Sequence, residues 1–152
     1  MLKKVLIVLL ILLVAIQFIR PERNQSNAQS PNDITSHYDV PANIQLVLQK
    51  ACYDCHSNST KYPWYTNIQP VGLWLQNHVD EGKEHLNFSE FASYNKKKQA
   101  HKLEEVGETV EGGEMPLSSY TIIHHEAKLS KEDRDLLLAW AKSLQQQIAA
   151  QQ

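Results

Sequence analysis

Two cysteines in 152 residues are too few for a disulfide scaffold, and what matters about them is that only two residues separate them. An excess of one charge is lacking as well. Fifteen Lys and Arg against seventeen Asp and Glu leave a net charge of -2, so no global field argues for nucleic acid or for an acidic surface as partner. There is no internal repeat, which excludes a solenoid or propeller. No stretch alternates apolar and polar residues long enough to be a strand. Tyr120 to Ile123 comes nearest and reads as loop. Methionine is almost absent: beyond Met1 there is only Met115. The length allows one compact domain and an appendage, not two full cores.

What is present is unevenly placed. Lys3 and Lys4 precede an apolar run from Val5 to Ile19, broken only by Gln17, and Arg20 and Arg23 follow it. The run is about 15 residues against the roughly 20 that cross a hydrocarbon core comfortably. Including Leu2 and letting Lys4 and Arg20 snorkel brings it close to a thin span. A cleaved signal peptide and a buried core helix are the competing readings. The bulky residues Gln17, Phe18, Ile19 and Arg20 stand where a small-residue cleavage site would be, which favours a retained signal-anchor over residues 1–20. Residues 21–38 are polar, carry two prolines and have almost nothing to bury, the composition of a flexible linker. A coil of about 18 residues averages roughly 20–25 Å end to end. Residues 39–150 form the domain.

Within the domain every strong period is helical. Ile44, Val47, Leu48 and Ala51 make one stripe that starts after Asp39 and Pro41 and runs into Cys52. A polar, aromatic loop follows, and Pro70 opens a helix with Val71, Trp74, Leu75, His78, Val79, Gly82, His85 and Leu86 on or beside one face. Ser89 is expected to cap a short piece through Tyr94. A helix from about Asn95 to Val110 carries Ala100, Leu103, Val106 and Val110 as its seam. After the break at Glu111 to Leu117, Ser130-Lys131-Glu132-Asp133 reads as a capping-box-like start. Leu136, Leu137, Trp140, Ala141, Leu144 and Ile148 complete that last helix. The fold class is all-α.

Cys52-Tyr53-Asp54-Cys55-His56 is a C-x-x-C-H run, the attachment signal for c-type haem. Thiols at i and i+3 lie on one side of a helical turn, so both reach the two vinyl groups of one porphyrin, and the next residue offers an imidazole to the iron. A zinc ribbon needs a second ligand pair, which this chain lacks. A thioredoxin-like motif needs a βαβ setting. A structural disulfide of such short span is rarer still. One covalent haem c on Cys52 and Cys55, with His56 as axial ligand, is the expectation. Covalent loading takes place outside the cytoplasmic membrane, so the topology follows: a single pass, a short N-terminus in the cytoplasm, and the domain on the periplasmic, extracytoplasmic side.

Met115 is the expected sixth ligand. Gly112, Gly113 and two glutamates precede it and Pro116 follows, a setting suited to presenting a soft thioether from a loop. The bland alternative is that Met115 fills a gap in the core. Six other histidines compete. His37 falls in the linker, His78 and His85 share a helix face, His101 lies on the next helix, and one of His124 and His125 is expected to hydrogen-bond near the haem edge. Trp64, Trp74 and Trp140, with Tyr62 and Tyr65, are expected to wall the pocket. Lys96, Lys97, Lys98 and Lys102 form a basic strip, read as a solvated helix face or, alternatively, as a docking patch for an acidic redox partner.

From about Val40 to Leu144 the chain resembles the bacterial haem-binding domain family, a cytochrome-c-like group. The resemblance rests on ACYDCHSNSTKYPWYTNIQPVGLWLQNHVDEGKEHLNFSEF, EMPLSSYTIIHHEAKLS and LLLAWA. It implies one c-type haem carried by Cys52, Cys55 and His56, and it puts Met115, Tyr120 and His124 in the family's M-P…Y…H segment, with Tyr120 and His124 as haem-contacting residues. Relatives often read Met-Pro-Pro where this chain has Pro116 and then Leu117. The function expected is electron transfer by a membrane-anchored monohaem cytochrome, not catalysis, with unnamed redox proteins as partners. A haem-based gas sensor or a haem enzyme with a displaceable sixth ligand is the alternative from another class. A subunit that uses haem mainly to fold is a third.

Overall fold

The computed structural model describes residues 1–26 and 28–151. Eight α-helices follow in chain order: α1 (Leu2–Ile16), α2 (Ile34–His37), α3 (Ala42–Ala51), α4 (Tyr53–His56), α5 (Val71–His85), α6 (Lys96–Glu111), α7 (Ser118–Thr121) and α8 (Lys131–Ala149). Short 3₁₀ turns cover Trp64–Asn67, Phe88–Ser93 and His125–Ala127. The described residues form no strand, only an isolated bridge between Gln25 and Ser59. The expected all-α class is what the chain adopts.

Local chemistry places the long helices. Asn95 caps α6 by accepting from the Lys98 N–H at 2.8 Å. Ser130 and Asp133 close a reciprocal capping box at the start of α8. Asn87, not Ser89, caps the Phe88–Ser93 turn, accepting from the Ser89 N–H. The core joins α3, α6 and α8 through Ile44, Val47, Leu48, Leu103, Val110, Leu137, Ala141, Leu144 and Ile148, and Phe88 and Phe91 extend it toward α2. Ser118–Thr121 is a helical turn where a loop was expected.

The stretch expected to be a flexible linker is laid against the domain. The Ser26 N–H donates to the Asn58 carbonyl and the Thr60 N–H to the Asn24 carbonyl, each at 2.9 Å. The Asn24 side chain donates to Ser57 O and Thr60 Oγ1, each at 2.8 Å. Asp33 caps α2, whose first residue, Ile34, is completely buried. Asn27, inside this stretch, lies outside the described residues. The polar composition reads as unable to fold because it offers little to bury. Its side chains instead satisfy the backbone of a neighbouring loop, and one isoleucine supplies the anchor.

Helix α1 buries no residue and ends at Ile16. Just beyond it, the Gln17 side chain donates to the carbonyls of Leu13 and Gln69, each at 3.0 Å. Among the described residues, no helix is long and apolar enough to cross a membrane.

Candidate functional site

Helix α3 delivers its C-terminus to the site. Cys52 closes it, with its N–H on the Leu48 carbonyl, and leaves the helical conformation at φ -125° and ψ -43°. The chain resumes as the single turn α4, in which the N–H groups of Cys55 and His56 both donate to the Cys52 carbonyl. This keeps the two thiols one turn apart and brings the imidazole in directly after them. Burial pushes the Cys52 thiol up to about 12, with Cys55 adding to it. Burial, then the charge of Asp54, pushes Cys55 up to about 11. Both sulfurs therefore stay protonated at neutral pH, unlike the reactive thiolate of a disulfide exchanger.

His56 is oriented by its neighbour across the turn: Nδ1 lies 3.0 Å from the Leu86 carbonyl oxygen. That nitrogen must carry the proton to donate, which leaves the Nε2 lone pair for a metal. Burial lowers the pKa of the ring, hydrogen bonds to the Leu86 and Gly82 carbonyls offset this in part, and nearby His85 lowers it further. A neutral imidazole is the ligand form. Helix α5 reaches the turn only because residue 82 is glycine. A Cβ there would stand 2.7 Å from the Cys55 carbonyl oxygen and 3.0 Å from the Cys55 Cβ.

The turn opens on a mostly apolar cavity of about 600 Å³, within the range that holds a cofactor. Cys52, Cys55 and His56 form one wall, His78, Gly82 and His85 of α5 a second, and Val106, Thr109 and Val110 of α6 a third. Met115 closes it, joined by Pro116, Leu117 and Tyr120. Gly113 takes φ +73°, a left-handed conformation that glycine adopts without penalty, and turns the chain back on α6. The N–H groups of Glu114 and Met115 then both donate to the Thr109 carbonyl. Met115 packs half-buried against the core and also faces the cavity.

Tyr120 and His124 part company. Tyr120 lines the cavity and donates its hydroxyl to Asp54 Oδ2 at 2.7 Å, and burial with that bond raises its pKa. His124 does not line it. Its ring stacks on Tyr120 at 4.1 Å, and its Nε2 lies 3.1 Å from the Tyr65 hydroxyl, one layer behind. Asp54, Gly82 and the Leu86 carbonyl are contributors that the sequence reading passed over. Asp54 could have been suspected from its place inside the motif. A backbone carbonyl carries no sequence signal.

The expected aromatic walls are elsewhere. Trp64 and Trp74 are exposed and Trp140 packs on the core. Tyr62 receives the Asn24 N–H and donates to Gln76. Among the described residues, the aromatic members of the cavity wall besides the histidines are Phe88 and Tyr120. The periodicity showed where aromatics recur, not which face the site would use. Of the remaining histidines, His37 contacts the Pro31 carbonyl and His101 faces Glu104 and Glu105. The basic strip is partly engaged: Lys102 lies 2.6 Å from Glu105, and Lys98 sits over the Tyr94 ring.

Paired thiols, a neutral histidine with one nitrogen committed and a thioether around one apolar cavity define a helical domain built to enclose a flat prosthetic group. A family model for a haem-binding domain matches residues 11–143, and the chain belongs to that family. That membership makes haem the cofactor of this domain. Comparisons with curated proteins and with solved structures give no match.

Proposed function

We propose that this protein is a membrane-anchored, monohaem c-type cytochrome that carries electrons. The observation that supports it best is the His56 Nδ1–Leu86 hydrogen bond at 3.0 Å, which prepares Nε2 for iron at a cavity shared with Cys52, Cys55 and Met115. Cys52 and Cys55 would hold the haem by thioethers, and His56 and Met115 would ligate its iron. When bound, the group would supply a one-electron couple, and thioether ligation by Met115 would favour its reduced form. The role of the chain is to keep His56 neutral and oriented, to hold Met115 against α6, and to exclude water with the apolar wall. Redox proteins outside the bilayer are the partners, and the near-zero net charge argues against nucleic acid.

The anchor rests on α1. From Val5 onward the helix is apolar on every side, and with no residue buried in the protein it suits a lipid environment. Its 15 residues rise about 22 Å, short of a hydrocarbon core of roughly 30 Å. Phe18 and Ile19 extend the apolar stretch, and Lys3, Lys4, Arg20 and Arg23 flank it. The haem domain would stand on the extracytoplasmic side of the cytoplasmic membrane.

Expression with haem-maturation machinery tests the reading. Haem stain should persist through denaturing electrophoresis and vanish in Cys52→Ala/Cys55→Ala, and stain surviving in that variant would refute covalent attachment. The wild-type ferrous protein should bind carbon monoxide slowly or not at all. Met115→Ala should bind it readily and lose the sulfur-to-iron charge-transfer band. Fast, complete binding by the wild type would replace the electron carrier with a sensor or enzyme.

A further inference from the structure

The end of α1 is fastened to the domain at one place. Gln17 Nε2 donates to the Gln69 carbonyl and Gln17 Oε1 accepts from the Gln69 N–H, each at 3.0 Å. The Gln69 side chain donates to the Ile19 carbonyl at 3.1 Å. Arg20 donates to the Asn67 carbonyl at 2.7 Å and Arg23 to Asn67 Oδ1 at 2.6 Å. Five hydrogen bonds therefore join residues 17–23 to the Asn67–Gln69 corner. Whatever medium surrounds α1 begins beside that corner.

Around the corner the domain exposes large apolar side chains. Trp64 is 75% exposed and Ile68 is 49% exposed. Val71 and Trp74, on the first turn of α5, are exposed too. Ile122 and Ile123, from the segment after α7, are 69% and 56% exposed. Val71, Trp74 and Ile123 line one small apolar crevice with Tyr65, Cys55 and Tyr120, and Tyr65 meets Trp64 edge-on at 6.0 Å. Ile68 precedes that turn of α5, and Ile122 adjoins Ile123 in the chain. Large exposed apolar side chains gathered around one crevice, two tryptophans among them, are not what a solvated surface carries.

We propose that the face of Trp64, Ile68, Val71, Trp74, Ile122 and Ile123 rests in the interfacial layer of the bilayer that holds α1, so that the haem domain lies on the membrane in one orientation. The proposal rests on the anchor reading. Lipid is the occupant that fits, because Gln69 lies between Ile68 and Val71 and is itself bonded to the last residues of the anchor. A soluble partner docking there would have to displace the membrane. Tryptophan suits the headgroup level, and Arg20 and Arg23 stand where lipid phosphates would be. The shortness of α1 is also accounted for, since apolar side chains of the domain sink toward the hydrocarbon that the helix does not reach. The haem cavity is then held at a set height above the membrane, instead of swinging on a tether.

The test uses the full-length haem-loaded protein in phosphatidylcholine vesicles containing a lipid with a photoactivatable diazirine on its acyl chain. After irradiation, labelled peptides are mapped by mass spectrometry. Label is expected in residues 1–19, in the peptides holding Trp64 to Trp74 and in that holding Ile122 and Ile123, with none in α8. Ile68→Glu/Ile123→Glu should lose the label on the domain and keep it on residues 1–19, with the haem absorbance unchanged. Label confined to residues 1–19 in the wild type would overturn the docked face and leave the anchor standing. No label in either region would overturn the anchor itself. A face that stays unlabelled and, in a parallel reaction with a bifunctional amine crosslinker, gives inter-chain crosslinks at Lys61 would assign the patch to a second copy and overturn the proposal.

Discussion

Helices α5 and α8 are of comparable length, fifteen and nineteen residues, and are held in different ways. α8 buries Leu137, Ala141, Leu144 and Ile148 against α3 and α6. α5 buries Gly72, Gln76 and Val79, so only one of its fully buried side chains is a sizeable hydrocarbon. Its attachments are polar or steric: Gln76 receives the Tyr62 hydroxyl, Lys83 reaches Asn24 Oδ1, and Gly82 lies against Cys55. α8 is stabilised by apolar burial within the chain. α5 forms the wall of a cavity and depends on what fills it. The comparison separates a half packed by its own side chains from a half that leaves a cavity of about 600 Å³ along its wall.

The sharpest way to break this comparison is to withhold the group. In Cys52→Ala/Cys55→Ala prepared without haem, amide hydrogen exchange should accelerate strongly in α5 and in the Met115 loop while α6 and α8 keep their protection. A void of this size would cost the residues around it their partner atoms. Uniform acceleration, or none, would show that the two halves fold as one unit independent of haem.

A pair of glycine substitutions gives a smaller effect of opposite sign in the two halves. Gly82→Ala has no room for its Cβ against Cys55 and should cost about 1–3 kcal/mol, with reduced haem loading. Gly107→Ala, in α6 with nothing within 4 Å of the added carbon, should gain about 0.5–1 kcal/mol from helix propensity. Denaturant titration of the haem-loaded proteins reads both. A stabilising Gly82→Ala would mean that α5 does not need its close approach to the turn.

The smallest effect is one of pH, on the self-sufficient side. Hydrogen bonds from Lys50 and Ser130 hold the Asp133 carboxyl below its ordinary range, against a smaller opposing effect of burial. A carboxylate with a lowered folded-state pKa contributes stability above its unfolded pKa and loses it as pH falls through the folded one. Asp133→Asn should therefore cost about 0.5 kcal/mol near neutrality, the size of a solvent-screened ion pair, and progressively less in acid. Denaturation midpoints at neutral and acidic pH check this, and a constant difference would rule out the charged pairing with Lys50.

Much of this was legible in the residues. The stripe of α3 and the capping box at Ser130 act within a few positions of chain, where side chain and backbone are neighbours whatever the fold. The C-x-x-C-H turn is local for the same reason, and Met115 stood out because the chain has no other internal methionine. The linker reading failed because Ile34, Asn24 and Asn32 find their partners about thirty to sixty residues away. The expected aromatic walls failed because Trp64 and Trp74 are presented outward, and a periodicity does not say which side of a helix will face the cofactor.

By itself, the sequence determined an all-α domain, the C-x-x-C-H pentapeptide, the loop that holds Met115 and the apolar N-terminal run, since each depends on spacing along the chain. Only the tertiary structure decided which nitrogen of His56 is committed to the Leu86 carbonyl, that Tyr120 reaches Asp54 while His124 stacks behind it, and that residues 17–26 and 28–34 lie along the domain. Those outcomes depend on backbone groups and on neighbours distant in sequence. A carbonyl oxygen is the same in every residue, so its position is set by how the helices pack and leaves no mark in the amino-acid letters.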